Sequence, residues 1–195
     1  MVLGMEVDEM IIVMGTPGAG KSTVLTEAKK DRKEWEVVNY GDLMFEIANG
    51  AGLVKSRDEL RSLPIPKQRE IQTAVAKELS KMKDKVVLDT HCSVNTPVGY
   101  YPGLPYSLLG KLNVDALVLV TAPLADILSR RKNDASRQRD AQGDEALSEH
   151  LKVNEAMLAA YSVLSGAPVI IIQNMNGKLD VAVERLEKVL DSFKG

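Results

Sequence analysis

Cysteine is almost absent from this sequence. The single thiol, Cys92, has no second cysteine with which to close an internal disulfide, which suits a reducing cytoplasm. Aromatic residues make up only 4% of the chain, so aliphatic side chains must build the core. An excess of one charge is also missing. The formal charge of −2 speaks against nucleic acid or an anionic membrane as the main partner, because both select strongly basic surfaces. No apolar run approaches the roughly 20 residues that a membrane-spanning helix needs; residues 10–14 and 116–120 are typical, and have strand length. The first ten residues carry Glu6, Asp8 and Glu9 but no Lys or Arg, unlike the basic start of a signal peptide. Repeats and low-complexity stretches are lacking too. What remains is 45% hydrophobic and 27% charged over 195 residues, the composition of one globular domain spanning 1–195.

Five short β-rich runs alternate with longer helical patterns: residues 10–14, Trp35–Asn39, Lys85–Asp89, 116–120 and Val169–Gln173. Their nearly unbroken apolar character fits strands buried on both faces, and the alternation predicts a three-layer α/β/α fold around a five-stranded parallel sheet. Ile71, Val75, Leu79 and Met82 recur at helical spacing, as do Leu147, Leu151, Leu158 and Tyr161, and Leu179, Val183, Leu186, Leu190 and Phe193. Residues 90–112 carry Pro97, Gly99, Pro102, Gly103 and Pro105 with little periodicity, and read as a long functional loop leaving the end of a strand.

The most informative segment is Gly15-Thr16-Pro17-Gly18-Ala19-Gly20-Lys21-Ser22, followed by Thr23. It matches G-x-x-x-x-G-K-S without a mismatch, between an apolar strand and a helix, and is the pattern of a P-loop NTPase. Glycines let backbone N–H groups turn toward phosphates without Cβ clashes, and the helix N-terminus adds its positive end. Lys21 is placed to reach the β- and γ-phosphates of ATP, and Ser22 to offer its hydroxyl to Mg²⁺. Asp89 closes the third apolar run and is a second candidate for Mg²⁺, through water; the other reading is an N-cap or surface acid. Thr90 follows it where many hydrolysing ATPases place a water-activating Glu, so transfer to an acceptor is favoured over hydrolysis. No N-K-x-D is present to read guanine.

Transfer between two nucleotides brings several negative charges together and calls for cations beyond Lys21. Arg130, Arg131, Arg137 and Arg139 fall within ten residues, running from a helix end into a polar stretch. Either they fold over the phosphates, or they pair with Asp134, Asp140, Asp144 and Glu145 on a solvated face. Arg57 and Arg61 form a second group, suited to an acceptor phosphate or to surface pairing with Asp58 and Glu59. Asp42 reads as a helix N-cap. His91, beside Asp89, reads as a ligand contact or as a structural histidine.

The combination Gly15–Ser22, Asn39-Tyr40-Gly41-Asp42 and Asp89-Thr90-His91 resembles the nucleoside monophosphate kinases. Residues 57–61, 96–105 and 173–177 are more similar to the archaeal type of adenylate kinase, and the resemblance spans nearly the whole chain. It implies a cytoplasmic enzyme, often a homotrimer, that catalyses ATP + AMP ⇌ 2 ADP with Mg²⁺. It further implies an AMP-binding insertion over residues 40–82 and a short lid over 130–146. Catalysis would then involve Lys21, Arg130, Arg137 and Arg139. The ATP adenine would lie near Asn174 and Gly177, and AMP near Tyr40, Gly41, Arg57, Arg61 and His91. The common bacterial form has an arginine soon after Gly-Asp, where this chain has Leu43-Met44-Phe45. That form also has Gly-Phe-Pro-Arg after the strand-end Asp, where this chain has Thr90-His91-Cys92-Ser93. Arg57 and Arg61 are the candidates to replace those arginines. The alternatives are a kinase for another nucleoside monophosphate or a small metabolite, and an ATP-dependent switch protein.

Overall fold

The computed structural model describes residues 9–82, 85–96, 98–133 and 143–193, without the side chains of residues 58, 61 and 133. In chain order the first elements are β1 (Glu9–Gly15), α1 (Lys21–Lys29), β2 (Trp35–Asn39), α2 (Tyr40–Gly50), α3 (Arg57–Ser62), α4 (Ile65–Leu79) and β3 (Lys85–Asp89). They are followed by β4 (Ser93–Thr96), β5 (Gly99–Pro102), α5 (Tyr106–Leu109), β6 (Ala116–Thr121), α6 (Leu124–Asn133), α7 (Asp144–Ser165), β7 (Val169–Gln173) and α8 (Leu179–Ser192).

The five apolar runs are the five strands of one sheet, in the order β2-β3-β1-β6-β7 with every pairing parallel. Side chains alternate across a strand, and the central strands feed two cores accordingly. Met10, Ile12 and Met14 of β1 join Val86, Leu88, Leu117 and Leu119 on one face, against α2, α4, α5 and α7. Ile11 and Val13 join Val87, Val118 and Val120 on the other, under α1 and α8. The residue at the end of α1's turn, Arg32, locks that second layer. Its Nε and Nη2 donate to the two carboxylate oxygens of Asp191 at 2.9 and 2.8 Å, and its Nη1 to Glu187 at 3.0 Å.

Two expectations are corrected. Residues 90–112 are not one long loop: β4 and β5 form an antiparallel hairpin, with Val94 opposite Tyr101, and α5 follows. Strands of four residues are too short to show a period, and glycine and proline mask them. Asp42 is not the cap of α2 either. Asn39 caps that helix, its side chain accepting from the Asp42 N–H at 3.0 Å, so the cap is also the last residue of β2.

Cys92 lies at the root of the hairpin, fully buried, its thiol donating to the Asn154 carbonyl at 3.2 Å. Burial pushes its pKa up to about 12. Because the thiolate is the nucleophile, an aromatic disulfide reagent at pH 8 is expected to label the native protein roughly a thousandfold more slowly than the guanidinium-unfolded chain. Equal rates would contradict this burial.

Candidate active site

The C-terminal ends of the strands bring the candidate residues to one edge of the sheet: Gly15, Asn39, Asp89, Thr121 and Gln173 end β1, β2, β3, β6 and β7. The chain winds from β1 out to β2, back to β3, and then across to β6 on the other side of β1. Ligands of open α/β sheets sit where the winding reverses in this way.

Between β1 and α1 the backbone makes the turn that the glycines permit. Gly18 and Gly20 have φ of +92° and +81°, the left-handed region that residues with a Cβ avoid. The Ala19 N–H closes the turn on the Thr16 carbonyl at 3.0 Å. A Cβ on Gly20 would also fall where the Asn174 carboxamide sits, so that position requires glycine for two reasons. Gly20 precedes α1, whose first turn holds no acidic residue, leaving its N–H groups and positive dipole end unopposed by a carboxylate of that turn.

Side chains from α6 and from the segment just past β7 grip this loop. Arg131 donates to the Pro17 carbonyl at 2.8 and 3.3 Å. Nη1 of Arg130 donates to the carbonyls of Gly18 and Ala19 at 3.4 and 3.1 Å, Nη2 to the Asn174 carbonyl at 2.7 Å, and Nε to Asn176 Oδ1 at 2.8 Å. Asn174, just past β7, adds its own Nδ2 bond to the Ala19 carbonyl at 2.9 Å. Three consecutive carbonyls are therefore held toward α6 and the end of β7. The N–H of a trans peptide points opposite its C=O, so the N–H groups of Gly18 and Gly20 face away from the arginines. Among the described residues neither has a backbone acceptor.

Lys21 Nζ pairs with the Asp89 carboxylate, whose other oxygen accepts from Asn39 Nδ2 at 3.0 Å. Burial pulls the Lys21 ammonium from 10.5 down to about 8, and the carboxylate beside it favours the charged form. Ser22 and Asp89 border one open cleft of about 440 Å³, with Thr26, Lys29 and Lys33 along it. A hydroxyl and a carboxylate are hard oxygen donors of the kind Mg²⁺ accepts while keeping most of its waters, so the residues present fit that ion. Thr23 follows Ser22 on α1 and is exposed.

The remaining candidates divide. Tyr40 and Gly41 open α2 directly after Asn39, and the Tyr40 ring is buried in the core beneath that helix. Arg57 reaches from α3 to pair with Asp42 of α2, while the Glu59 carboxylate accepts from the Lys55 N–H at 2.8 Å. Arg61 stands on the same helix, its side chain outside the described residues. His91 is exposed, two positions past the end of β3. Gly177 is exposed in the turn before α8. Arg137 and Arg139 lie outside the described residues.

The pattern reading missed Asn39, which links Asp89 to the start of α2, and Asn154, whose Nδ2 donates to Thr16 Oγ1 at 2.5 Å. Asn154 was detectable in principle. It occupies the buried stripe of α7 between Leu151 and Leu158, and a polar side chain on an apolar stripe needs a partner.

A parallel five-stranded sheet carrying G-x-x-x-x-G-K-S between its central strand and a helix makes this a P-loop α/β protein of kinase type. A family model described as an AAA domain matches residues 14–148. The solved shikimate kinase from Bacteroides thetaiotaomicron aligns with a TM-score of 0.61, at 17% identity over 94% of this chain and 98% of that one. The shikimate kinase from Acinetobacter baumannii, in complex with shikimate, gives 0.59 at 20% identity over 96% of each chain. At such identity the likeness establishes the fold. By sequence, the adenylate kinase of Methanopyrus kandleri is 44% identical over 188 residues, 94% of this chain and 98% of that protein. The adenylate kinase of Methanocaldococcus jannaschii is 43% identical over 189 residues. The chain belongs to the adenylate kinase family.

Arg130 acts on the loop through the fork of its guanidinium, which serves four acceptors at once; a lysine keeps the charge but not the fork. Arg130→Lys is therefore expected to weaken Mg·ATP binding about tenfold, nearly as much as Arg130→Ala, since either leaves the loop to be ordered when the ligand binds, at a cost of about 1.4 kcal/mol. Titration calorimetry measures it, and wild-type affinity in the lysine variant would show that charge alone suffices.

Proposed function

We infer that this chain catalyses the reversible transfer of the γ-phosphoryl group of ATP to AMP, giving two ADP, with Mg²⁺. The observation that carries the reading is nearly full-length identity to adenylate kinases in a chain whose P-loop carbonyls are tied back. Such a loop turns the N–H groups of Gly18 and Gly20 away from Arg130 and Arg131. Lys21 would exchange Asp89 for the β- and γ-phosphates, gaining a charged partner that compensates its burial. Ser22, and Asp89 through water, would hold the Mg²⁺ that arrives with ATP, and that ion would neutralise phosphate charge. Arg137 and Arg139 from the proposed lid over 130–146 would add cations around the transferred group, while Arg130 would act through the loop carbonyls it holds.

AMP is assigned to the other side of Asp89. There the insertion over 40–82 supplies Tyr40, Gly41, Arg57 and Arg61, and His91 leaves β3. Asp42 pairs with Arg57, and an acceptor phosphate would compete for that exposed arginine. Asn174 and Gly177 would flank the ATP adenine. The reaction suits a cytoplasmic enzyme. Exposed apolar side chains on the end of α7 and the edge strand β7, Val163, Leu164, Val169 and Ile171, support self-association, and the resemblance to archaeal adenylate kinases makes a homotrimer the proposed form. A light-scattering mass of one chain would remove that last assignment.

With Mg·ATP, ADP formation is expected to be at least tenfold faster with AMP than with CMP, UMP, GMP or dTMP, and to stop on chelation of Mg²⁺ and resume when it is restored. Rates indifferent to the acceptor would overturn the reading. Lys21→Ala is expected to lower kcat by about 10²–10³-fold through lost charge stabilisation; a near-normal rate would exclude Lys21 from the reaction.

A further inference from the structure

Behind the phosphate loop lies a row of buried polar side chains that the loop's sequence pattern does not require. Asn154 on α7 is 1% exposed, and its carboxamide has two partners. Oδ1 accepts from Ser93 Oγ at 2.5 Å, and Nδ2 donates to Thr16 Oγ1 at 2.5 Å. His150, one turn earlier on α7 and 4% exposed, places Nε2 3.0 Å from the same Ser93 hydroxyl, and its ring lies 5.0 Å from that of Tyr100. The hairpin, α7 and the second residue of the phosphate loop are thus joined by one chain of hydrogen bonds.

Counting protons gives the chain a direction. A carboxamide nitrogen only donates and its oxygen only accepts. The one hydroxyl proton of Ser93 goes to Asn154, so His150 must donate from Nε2, which assigns that nitrogen its proton. Thr16 Oγ1 accepts from Asn154, and its own proton has no acceptor among the described residues. Thr16 is 3% exposed and belongs to the loop itself, so desolvation makes an unanswered donor costly there. A phosphate oxygen would answer it.

We propose that Asn154 is a positioning residue for phosphoryl transfer. It holds the Thr16 hydroxyl with its proton free for the phosphates carried by Gly15–Ser22, and Ser93 and His150 hold Asn154. The inference rests on the reading of that loop as the ATP phosphate site. Thr16→Val removes the donor while keeping the shape, and Thr16→Ser keeps the donor. In the AMP-dependent assay, Thr16→Val and Asn154→Leu are each expected to lower kcat/KM for ATP about tenfold, the value of one hydrogen bond. Thr16→Ser is expected to stay within threefold of wild type. The double variant Thr16→Val/Asn154→Leu is expected to be no worse than either single one, because Asn154 acts through Thr16. Losses that multiply to about a hundredfold would overturn the proposal, as would a Thr16→Val enzyme equal to wild type. If Asn154→Leu does not fold, as judged by its thermal transition, the comparison of Thr16→Val with Thr16→Ser decides. If wild type itself makes no ADP from AMP, the functional reading fails. The same contrast is then read in the equilibrium affinity for Mg·ATP, where identical affinities for Thr16→Val and Thr16→Ser would overturn the inference.

Discussion

Everything at the sheet edge depends on the fixing of three consecutive carbonyls, those of Pro17, Gly18 and Ala19, by Arg130, Arg131 and Asn174. A glycine-rich turn is conformationally permissive, and that freedom costs entropy when a ligand orders it. Side chains that saturate the carbonyl side settle the peptide planes before any phosphate arrives. The loop is then a preformed set of donors, with the end of α1 behind it. The guanidiniums act on the phosphate region from behind through the backbone. That differs from the direct neutralisation for which an arginine cluster is first considered.

A second tie runs through Asp89. Its carboxylate joins Lys21 of the loop to Asn39 of β2, and Asn39 caps α2 with the other end of its side chain. One hydrogen-bonded line therefore runs from the donor half of the site to the helix that opens the proposed AMP-binding insertion. The Asp89 carboxylate gives the largely buried Lys21 an opposite charge that favours its ammonium form.

The sheet was legible because each of its five strands contains a short apolar run. Strands β1, β3 and β6 are buried on both faces, whereas the edge strands β2 and β7 are partly exposed and the expected burial does not hold for them. The phosphate loop was legible because its geometry is local: a turn, two left-handed glycines and a helix start lie within eight residues. The β4–β5 hairpin was not, since two strands of four residues interrupted by glycine and proline carry no period. The cap of α2 was assigned to Asp42 because the helix was expected to start later; Asn39 ends a strand and caps a helix at once, a double role that a pattern search separates. Asn154 was hidden in a helical stripe whose leucines dominate it, 138 residues from the threonine it holds.

The sequence by itself determined the sheet, the turn of the phosphate loop and the family, because each rests on near-neighbour spacing or on residue identity along the chain. Tertiary structure decided what Arg130, Arg131, Asn174 and Asn154 do. Their partners are backbone carbonyls and a hydroxyl brought within reach only when α6, α7 and the end of β7 converge on β1. A hydrogen bond depends on distance and direction, and neither is written in the separation of two residues along the chain.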